Sequence, residues 1–153
     1  MGASTAILYS KINPTIAVMI LDSPYLSLDS VIQEQRLQKI RFLPNFIFEW
    51  IYQKVKKVFL ERYGFGVEDI RPIDAIKGCK VPSLFVCGDG DRIIRCENSV
   101  KLMEMHSGND EDKKIIIIKD GTHNKFRPPE ITSQIREFIN KYLTKDENTA
   151  RKY

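Results

Sequence analysis

Two residue types that can share a proton follow two short apolar runs in the sequence. The run 81–87 is followed by Asp91, and the run 114–118 is followed by His123. A carboxylate that accepts the Nδ1–H of a histidine fixes its tautomer and stabilises the imidazolium formed when the other nitrogen takes a proton. The two residues are therefore predicted to be the acid and the base of a nucleophile–His–acid triad. The nucleophile is expected upstream of both.

Each of these residues also has a simpler interpretation. Asp91 could be a helix-capping residue and His123 a histidine in a surface loop. Asp89 is a competing acid two residues earlier and is predicted to be a solvated turn residue. His106 follows a helical stretch without a motif, so we expect it to be structural. We favour the triad because the acid and the base follow two strands in the right order.

The elements that must position these residues alternate between helix and strand. Apolar, partly β-branched runs predict strands at 16–21, 83–87 and 114–118. Apolar periodicity predicts helices at 1–10, 28–41, 45–63, 97–106 and 129–143. The segment 66–80 contains Pro72 and Gly78 and is predicted to be irregular. An α-β-α-α-β-α-β-α order predicts an α/β fold whose sheet has three parallel strands and flanking helices.

Composition limits the classes of function. The net charge of +4 is mild, and no basic stripe with interleaved aromatic residues indicates nucleic-acid binding. Three cysteines without C-x-x-C spacing or a signal peptide predict reduced thiols and a cytoplasmic, intracellular protein. The longest apolar runs fall short of the roughly 20 residues that span a bilayer. Asp89, Asp91 and Asp120 lack metal-ligand spacing, so no metal site is predicted.

Four short motifs, in this order, resemble the α/β-hydrolase family. Asp22-Ser23-Pro24-Tyr25 follows the first strand, and Pro72 precedes the Val81-Pro82 entry to the second. Gly88-Asp89-Gly90-Asp91-Arg92-Ile93-Ile94 is similar to the family's G-x-x-D-x-x-[IV] loop, and Gly121-Thr122-His123-Asn124-Lys125-Phe126-Arg127-Pro128 to a G-x-H-N-x-x-R-P loop. The last form is typical of the Bem46/ABHD17-like subgroup of serine hydrolases. The resemblance covers residues 1–142 and implies a partial α/β-hydrolase fold built from family strands six to eight.

The resemblance also implies where the nucleophile would be. The family's nucleophile elbow is G-x-S-x-G, often G-x-S-M-G-A in this subgroup, and the chain opens Met1-Gly2-Ala3-Ser4. Met1 then matches the residue after the nucleophile, whose backbone N–H belongs to the oxyanion hole. The serine would precede Met1. We therefore expect a truncated hydrolase domain that is inactive by itself.

Three other residues could be imagined as nucleophiles. Ser4 lies inside a predicted helix, Ser23 lacks the elbow glycines, and Cys96 lacks evident activation beyond Arg92 and Arg95. We expect none of them to be the nucleophile.

The domain is predicted to span 1–143, with a cap-like helical insertion at about 27–65 and a flexible tail at 144–153. The insertion is rich in aromatic residues: Phe42, Phe46, Phe48, Trp50, Tyr52, Phe59, Tyr63 and Phe65. They could form an apolar cap over an acyl or other apolar substrate, but we favour a helix that packs its aromatic face on the sheet. Lys54, Lys56 and Lys57 could touch an anionic membrane surface, although a solvated face is the better prediction.

Family resemblance implies hydrolysis of a carboxylic ester or thioester, with amide cleavage possible, on a small-molecule or acylated substrate. It implies neither a metal nor an organic cofactor. The alternative is a non-catalytic interaction module. In that case the strand 16–21 would be an exposed sheet edge through which the chain forms a homodimer.

Overall fold

A computed structural model describes residues 1–13 and 15–150, with side chains described as far as Leu143. The helices are α1 (Gly2–Ser10), α2 (Leu28–Lys39), α3 (Asn45–Tyr63), α4 (Pro72–Ile76), α5 (Cys96–Met105) and α6 (Pro129–Ala150). The strands are β1 (Met19–Asp22), β2 (Ser83–Gly88) and β3 (Lys113–Ile118). Two 3-10 turns lie at Val67–Asp69 and Asp110–Asp112.

The three strands form one parallel sheet in the order β1-β2-β3. Met19 pairs with Ser83 at the start of the β1–β2 ladder, and Ser83 pairs with Lys113 across the β2–β3 ladder. Because all strands run the same way, their carboxyl ends meet at one edge of the sheet. The predicted α/β class, with a three-stranded parallel sheet and flanking helices, is confirmed.

The central strand is buried on both faces, which explains its unbroken apolar run. Phe85 points to a core formed with α1, α4 and α5, where Ile7, Ile76 and Leu102 are fully buried. Leu84 and Val86 point to the opposite face and pack with Ile116 of β3 and with Phe138 and Tyr142 of α6. Successive side chains of β2 therefore pack alternately into two apolar layers, one on each face of the sheet.

Several element boundaries differ from the predicted ones for local reasons. The strand predicted at 16–21 is β1, Met19–Asp22, and its first ladder bond runs from the Met19 N–H to the Pro82 carbonyl (2.8 Å). The segment predicted to be irregular contains the short helix α4. Its first turn begins at Pro72, whose fixed φ suits that position.

Helix α6 continues to Ala150, beyond the predicted end at residue 143. Residues 151–153 of the predicted tail lie outside the described residues. The backbone of 144–150 is helical, and the flexible tail at 144–153 stays a prediction.

The cap-like region consists of α2 and α3, and the favoured packing of its aromatic face on the sheet is wrong. Phe48 and Tyr52 are buried, but by neighbours in α2: the Arg36 guanidinium lies 4.2 Å above the Phe48 ring, and the Tyr52 hydroxyl donates to Asp29. Other large apolar side chains of α3 and the turn before it are exposed, including Phe42 (86%) and Trp50 (64%). Periodicity could not distinguish a helix that packs on a sheet from one that packs on another helix.

The prediction of reduced thiols is wrong for two of the three cysteines. A disulfide joins Cys87, in β2, to Cys96, at the start of α5, with Cα atoms 5.3 Å apart. Cys79 is a buried free thiol. The odd number of cysteines gave no indication that the loop after β2 would bring Cys87 and Cys96 together. The argument from reduced thiols to an intracellular location therefore no longer applies. Within residues 1–13 and 15–150, every helix is too short or too polar to span a lipid bilayer.

Candidate active site

The loop after β2 buries the Asp91 carboxylate and surrounds it with donors. Its side chain is fully buried. Oδ1 accepts hydrogen bonds from the backbone N–H groups of Ile93 (2.8 Å) and Ile94 (3.0 Å). Two amide donors on one oxygen fix the direction of the carboxylate. The second oxygen remains available to another partner.

That partner is His123, which lies in the loop after β3. The distance from His123 Nδ1 to Asp91 Oδ2 is 2.8 Å. Because a carboxylate only accepts hydrogen bonds, Nδ1 carries the proton and Nε2 has its lone pair free. The His123 side chain is 32% exposed, and no described residue hydrogen bonds to Nε2. The structure thus brings the two sequence-predicted residues into the geometry of an acid and a base.

Asp89 has a different partner and does not compete for the histidine. It is exposed, and its Oδ1 accepts a hydrogen bond from the backbone N–H of Asp120 (2.6 Å). Asp120 itself adopts a left-handed backbone conformation, with φ of 53°. The Asp89 carboxylate therefore ties the loop after β2 (the acid loop, residues 89–95) to the loop after β3 (the base loop, residues 119–128). The prediction of a merely solvated turn residue missed this contact.

The same two loops touch through their glycines. A Cβ on Gly88 would lie 2.1 Å from the Gly121 carbonyl oxygen, a distance no real side chain tolerates. The Gly121 oxygen accepts from the Gly90 N–H at 3.0 Å, and Ile118 oxygen accepts from the Asp89 N–H at 3.2 Å. The absence of a side chain at residue 88 allows the main chains to approach closely enough for the Asp91–His123 contact.

The three alternative nucleophiles all have other structural partners. Ser4 is fully buried, and its Oγ accepts the backbone N–H of Tyr25 at 3.0 Å. Ser23 is buried with a φ of 47°, and its Oγ donates to the Asp22 carboxylate at 3.2 Å. Cys96 is bonded to Cys87. None of these side chains is hydrogen bonded to His123 among the described residues.

The first turn of α1 lies at the same edge of the sheet as the candidate pair. The Ser4–Tyr25 hydrogen bond holds it against the segment that directly follows β1. Met1, the residue whose backbone N–H the family resemblance assigns to an oxyanion hole, precedes this turn and is 85% exposed.

His106 is buried in a structural setting. Its Nδ1 accepts the Gly108 N–H at 2.9 Å, so Nε2 carries the proton and donates to the Val81 carbonyl at 2.9 Å. Burial lowers the pKa of His106, and the bond to the Val81 carbonyl opposes this effect. The two histidines thus hold opposite tautomers, each dictated by its Nδ1 partner.

One interaction at this edge was not anticipated from the sequence. Arg127, four residues after His123, makes two hydrogen bonds to the carboxylate of Asp22, the last residue of β1. Both residues belong to motifs quoted above, yet nothing in either motif indicates that they meet. The hydrogen bond to Asp22 raises the pKa of Arg127 above its ordinary value.

The surface beside His123 is a shallow depression lined by Gly90, Ile93, Thr122 and Asn124. In the described part of the chain, no group of three or more His, Cys, Asp or Glu side chains could hold a metal ion. The chemistry available here is proton transfer at Nε2 of His123, supported by the Asp91 carboxylate.

No protein-family model matches the chain, and no curated protein matches it significantly. Solved structures do. A Pyrococcus furiosus esterase is similar over 92% of this chain and 50% of its own, with 19% identity and a TM-score of 0.62. A second similar structure is a Paleococcus ferrophilus monoacylglycerol lipase, which matches 92% of this chain and 64% of its own with 22% identity and a TM-score of 0.56. A third is an α/β-hydrolase enzyme from a deep-sea metagenome, which matches 91% of this chain and 62% of its own with 16% identity and a TM-score of 0.55.

The chain therefore spans about half to two thirds of the length of these proteins. At such identities the likeness concerns the fold. The described residues carry part of the α/β-hydrolase fold, and the Asp91–His123 pair lies at the carboxyl edge of its sheet.

Proposed function

We propose that this chain supplies the acid and the base of a serine hydrolase that cleaves carboxylic esters or thioesters. The observation that carries the proposal is the 2.8 Å hydrogen bond between the buried Asp91 carboxylate and Nδ1 of a partly exposed His123. A merely structural histidine, such as His106, has both nitrogens occupied. His123 has one nitrogen fixed, and no side chain or backbone group of the described residues hydrogen bonds to the other.

In this mechanism Nε2 of His123 takes the proton of a serine hydroxyl as its oxygen attacks the substrate carbonyl carbon. The imidazolium, stabilised by Asp91, then gives that proton to the leaving alcohol or thiol, and an acyl-enzyme remains. Water, deprotonated by the same nitrogen, releases the acid and restores the serine. Amide cleavage would follow the same steps with an amine as the leaving group.

The serine itself is proposed to lie in a segment that precedes Met1, and Met1 would give its backbone N–H to the oxyanion. The resemblance of Met1-Gly2-Ala3 to the end of a nucleophile elbow supports this, as does the position of α1 at the carboxyl edge. The subgroup is proposed to be the Bem46/ABHD17-like one. The names of the similar structures, an esterase and a monoacylglycerol lipase, support an ester substrate.

The first test is the genomic sequence upstream of the start codon. An in-frame Gly-x-Ser that ends an apolar strand supports the proposal, and a stop codon without a splice acceptor contradicts it. The second test treats the extended protein with a fluorophosphonate probe. We expect labelling that is lost in His123→Ala and absent from the 153-residue chain. Labelling that survives His123→Ala would refute the role of the base.

A second candidate function is a non-catalytic module that self-associates. It is favoured by one observation: in the described residues no strand pairs with β1 on the side away from β2. Unpaired backbone groups on an edge strand invite another chain. Sedimentation of the isolated chain tests this proposal, because a clean monomer at high concentration would contradict pairing through β1.

A further inference from the structure

The contact between Asp22 and Arg127 joins residues 105 positions apart in the sequence. The Nε–Oδ2 distance is 3.0 Å, and the Nη2–Oδ1 distance is 2.5 Å. The Arg127 side chain is only 18% exposed, whereas the Asp22 side chain is 48% exposed. Most exposed ion pairs contribute little, but a two-pronged arginine–carboxylate contact fixes direction as well as distance.

The third nitrogen of the same guanidinium reaches the base loop. Arg127 Nη1 donates to the carbonyl oxygen of Thr122, the residue before His123, at 3.4 Å. On its other side the loop is held by Gly121, which contacts the acid loop. The base is therefore tied to β2 through Gly121 and to the end of β1 through Arg127.

Resting on the proposed function, we infer that Arg127 is a positioning residue, which with Asp22 holds the His123 loop so that Nδ1 stays directed at Asp91. The guanidinium acts through the Thr122 carbonyl and does not touch the reacting atoms. Without it, the loop keeps its glycine contact but loses its tie to β1. The imidazole then samples orientations in which Nδ1–H leaves the carboxylate and exchanges with water.

Nuclear magnetic resonance of the ¹⁵N-labelled chain tests this inference directly, since the protein has only two histidines. The measured quantity is the exchange rate of the His123 Nδ1–H proton with water, and His106 serves as an internal reference for an intact fold. We expect Arg127→Ala to raise this rate about tenfold, because the loop loses its connection to the end of β1. Asp22→Asn should also raise the exchange rate. Arg127→Lys should give a rate between those of the wild type and Arg127→Ala, because lysine keeps the positive charge but cannot make two parallel hydrogen bonds to the carboxylate.

The matched control is Arg71→Ala. It removes a similar contact, in which Arg71 Nε lies 2.5 Å from Asp74 Oδ2 at the start of α4, away from the base loop. We expect this variant to leave the His123 exchange rate unchanged. The double variant Asp22→Asn/Arg127→Ala should exchange no faster than Arg127→Ala alone, because both changes break the same contact.

Unchanged exchange in Arg127→Ala, with intact His106 signals, would overturn the inference, and so would an equal effect of Arg71→Ala. If Arg127→Ala loses the His106 signals because it unfolds, Arg127→Lys and Asp22→Asn decide the question. The proposed function fails separately: a wild-type His123 that carries its proton on Nε2 contradicts the acid–base pair whatever Arg127 does.

Discussion

Replacing Asp91 by asparagine should reverse the tautomer of His123 at little cost in stability. The asparagine oxygen can keep the place of Oδ1 and accept the Ile93 and Ile94 amides. Its NH₂ group then faces Nδ1 of His123, where the carboxylate oxygen Oδ2 accepted a hydrogen bond from Nδ1 at 2.8 Å. Two N–H donors cannot face each other, so Nδ1 must give up its proton and Nε2 must gain one.

The magnitude follows from the three hydrogen bonds that the carboxylate accepts. Two charge-assisted bonds become neutral ones, each weaker by roughly 1 kcal/mol, while the burial of a charge is relieved. We expect a loss of about 1–2 kcal/mol in the free energy of unfolding for Asp91→Asn. Asp91→Ala leaves two backbone donors without an acceptor and should cost about 4 kcal/mol.

Long-range ¹H–¹⁵N correlation spectra at alkaline pH measure the tautomer, and urea unfolding measures the stability. His106, whose Nε2 already carries the proton, gives the reference pattern that His123 should adopt in Asp91→Asn. If His123 keeps its proton on Nδ1 in that variant, Asp91 does not set the tautomer and the reasoning is refuted. A cost below 1 kcal/mol for Asp91→Ala would refute the account of the amide bonds.

Three further changes test other parts of the structure. Cys96→Ser opens a disulfide that spans nine positions and should lower the free energy of unfolding by about 2–3 kcal/mol, and reductant should then have no further effect in urea titrations. Burial lowers the pKa of His106, so below about pH 6.5 the unfolded chain binds a proton that the folded chain does not. The free energy of unfolding should therefore decrease as the pH is lowered through that window, by at most about 1.4 kcal/mol per pH unit. His106→Gln should flatten this slope. Gly88→Ala pushes a methyl group onto the Gly121 carbonyl and should destabilise by about 3 kcal/mol, whereas Gly78→Ala, with open space around it, should not. Equal midpoints for the two alanine variants would contradict the steric argument.

The sequence predicted best those features that depend on local signals. Helix α3 begins at Asn45 and ends at Tyr63 as predicted, because Pro44 precedes it and Gly64 adopts the left-handed conformation that ends it. The apolar run at β2 indicated a strand buried on both faces, because consecutive apolar residues leave neither face of a strand polar. The contact between Asp91 and His123 could be predicted because each residue follows an apolar run that forms a strand of the sheet.

What the sequence did not predict depends on contacts between distant residues. Asp22 and Arg127 are separated by 105 positions, and no periodicity relates them. The Cys87–Cys96 disulfide needs the path of one loop, which spacing alone does not give. The aromatic residues of α3 were expected to pack on the sheet, because a helical pattern identifies an apolar face but not what covers it.

The close approach of Gly88 and Gly121 has a consequence for how the pair could be altered. The separation of the two loops at Gly88 and Gly121 is set by main-chain atoms in contact, so it behaves as a fixed spacing with almost no tolerance. Exchanging side chains elsewhere in the two loops should leave this spacing intact. A single inserted residue between Gly88 and Asp91, or between Gly121 and His123, should abolish it, since the contact cannot stretch to absorb an added 3.8 Å step of backbone. The length of these loops is thus a stricter requirement than their composition.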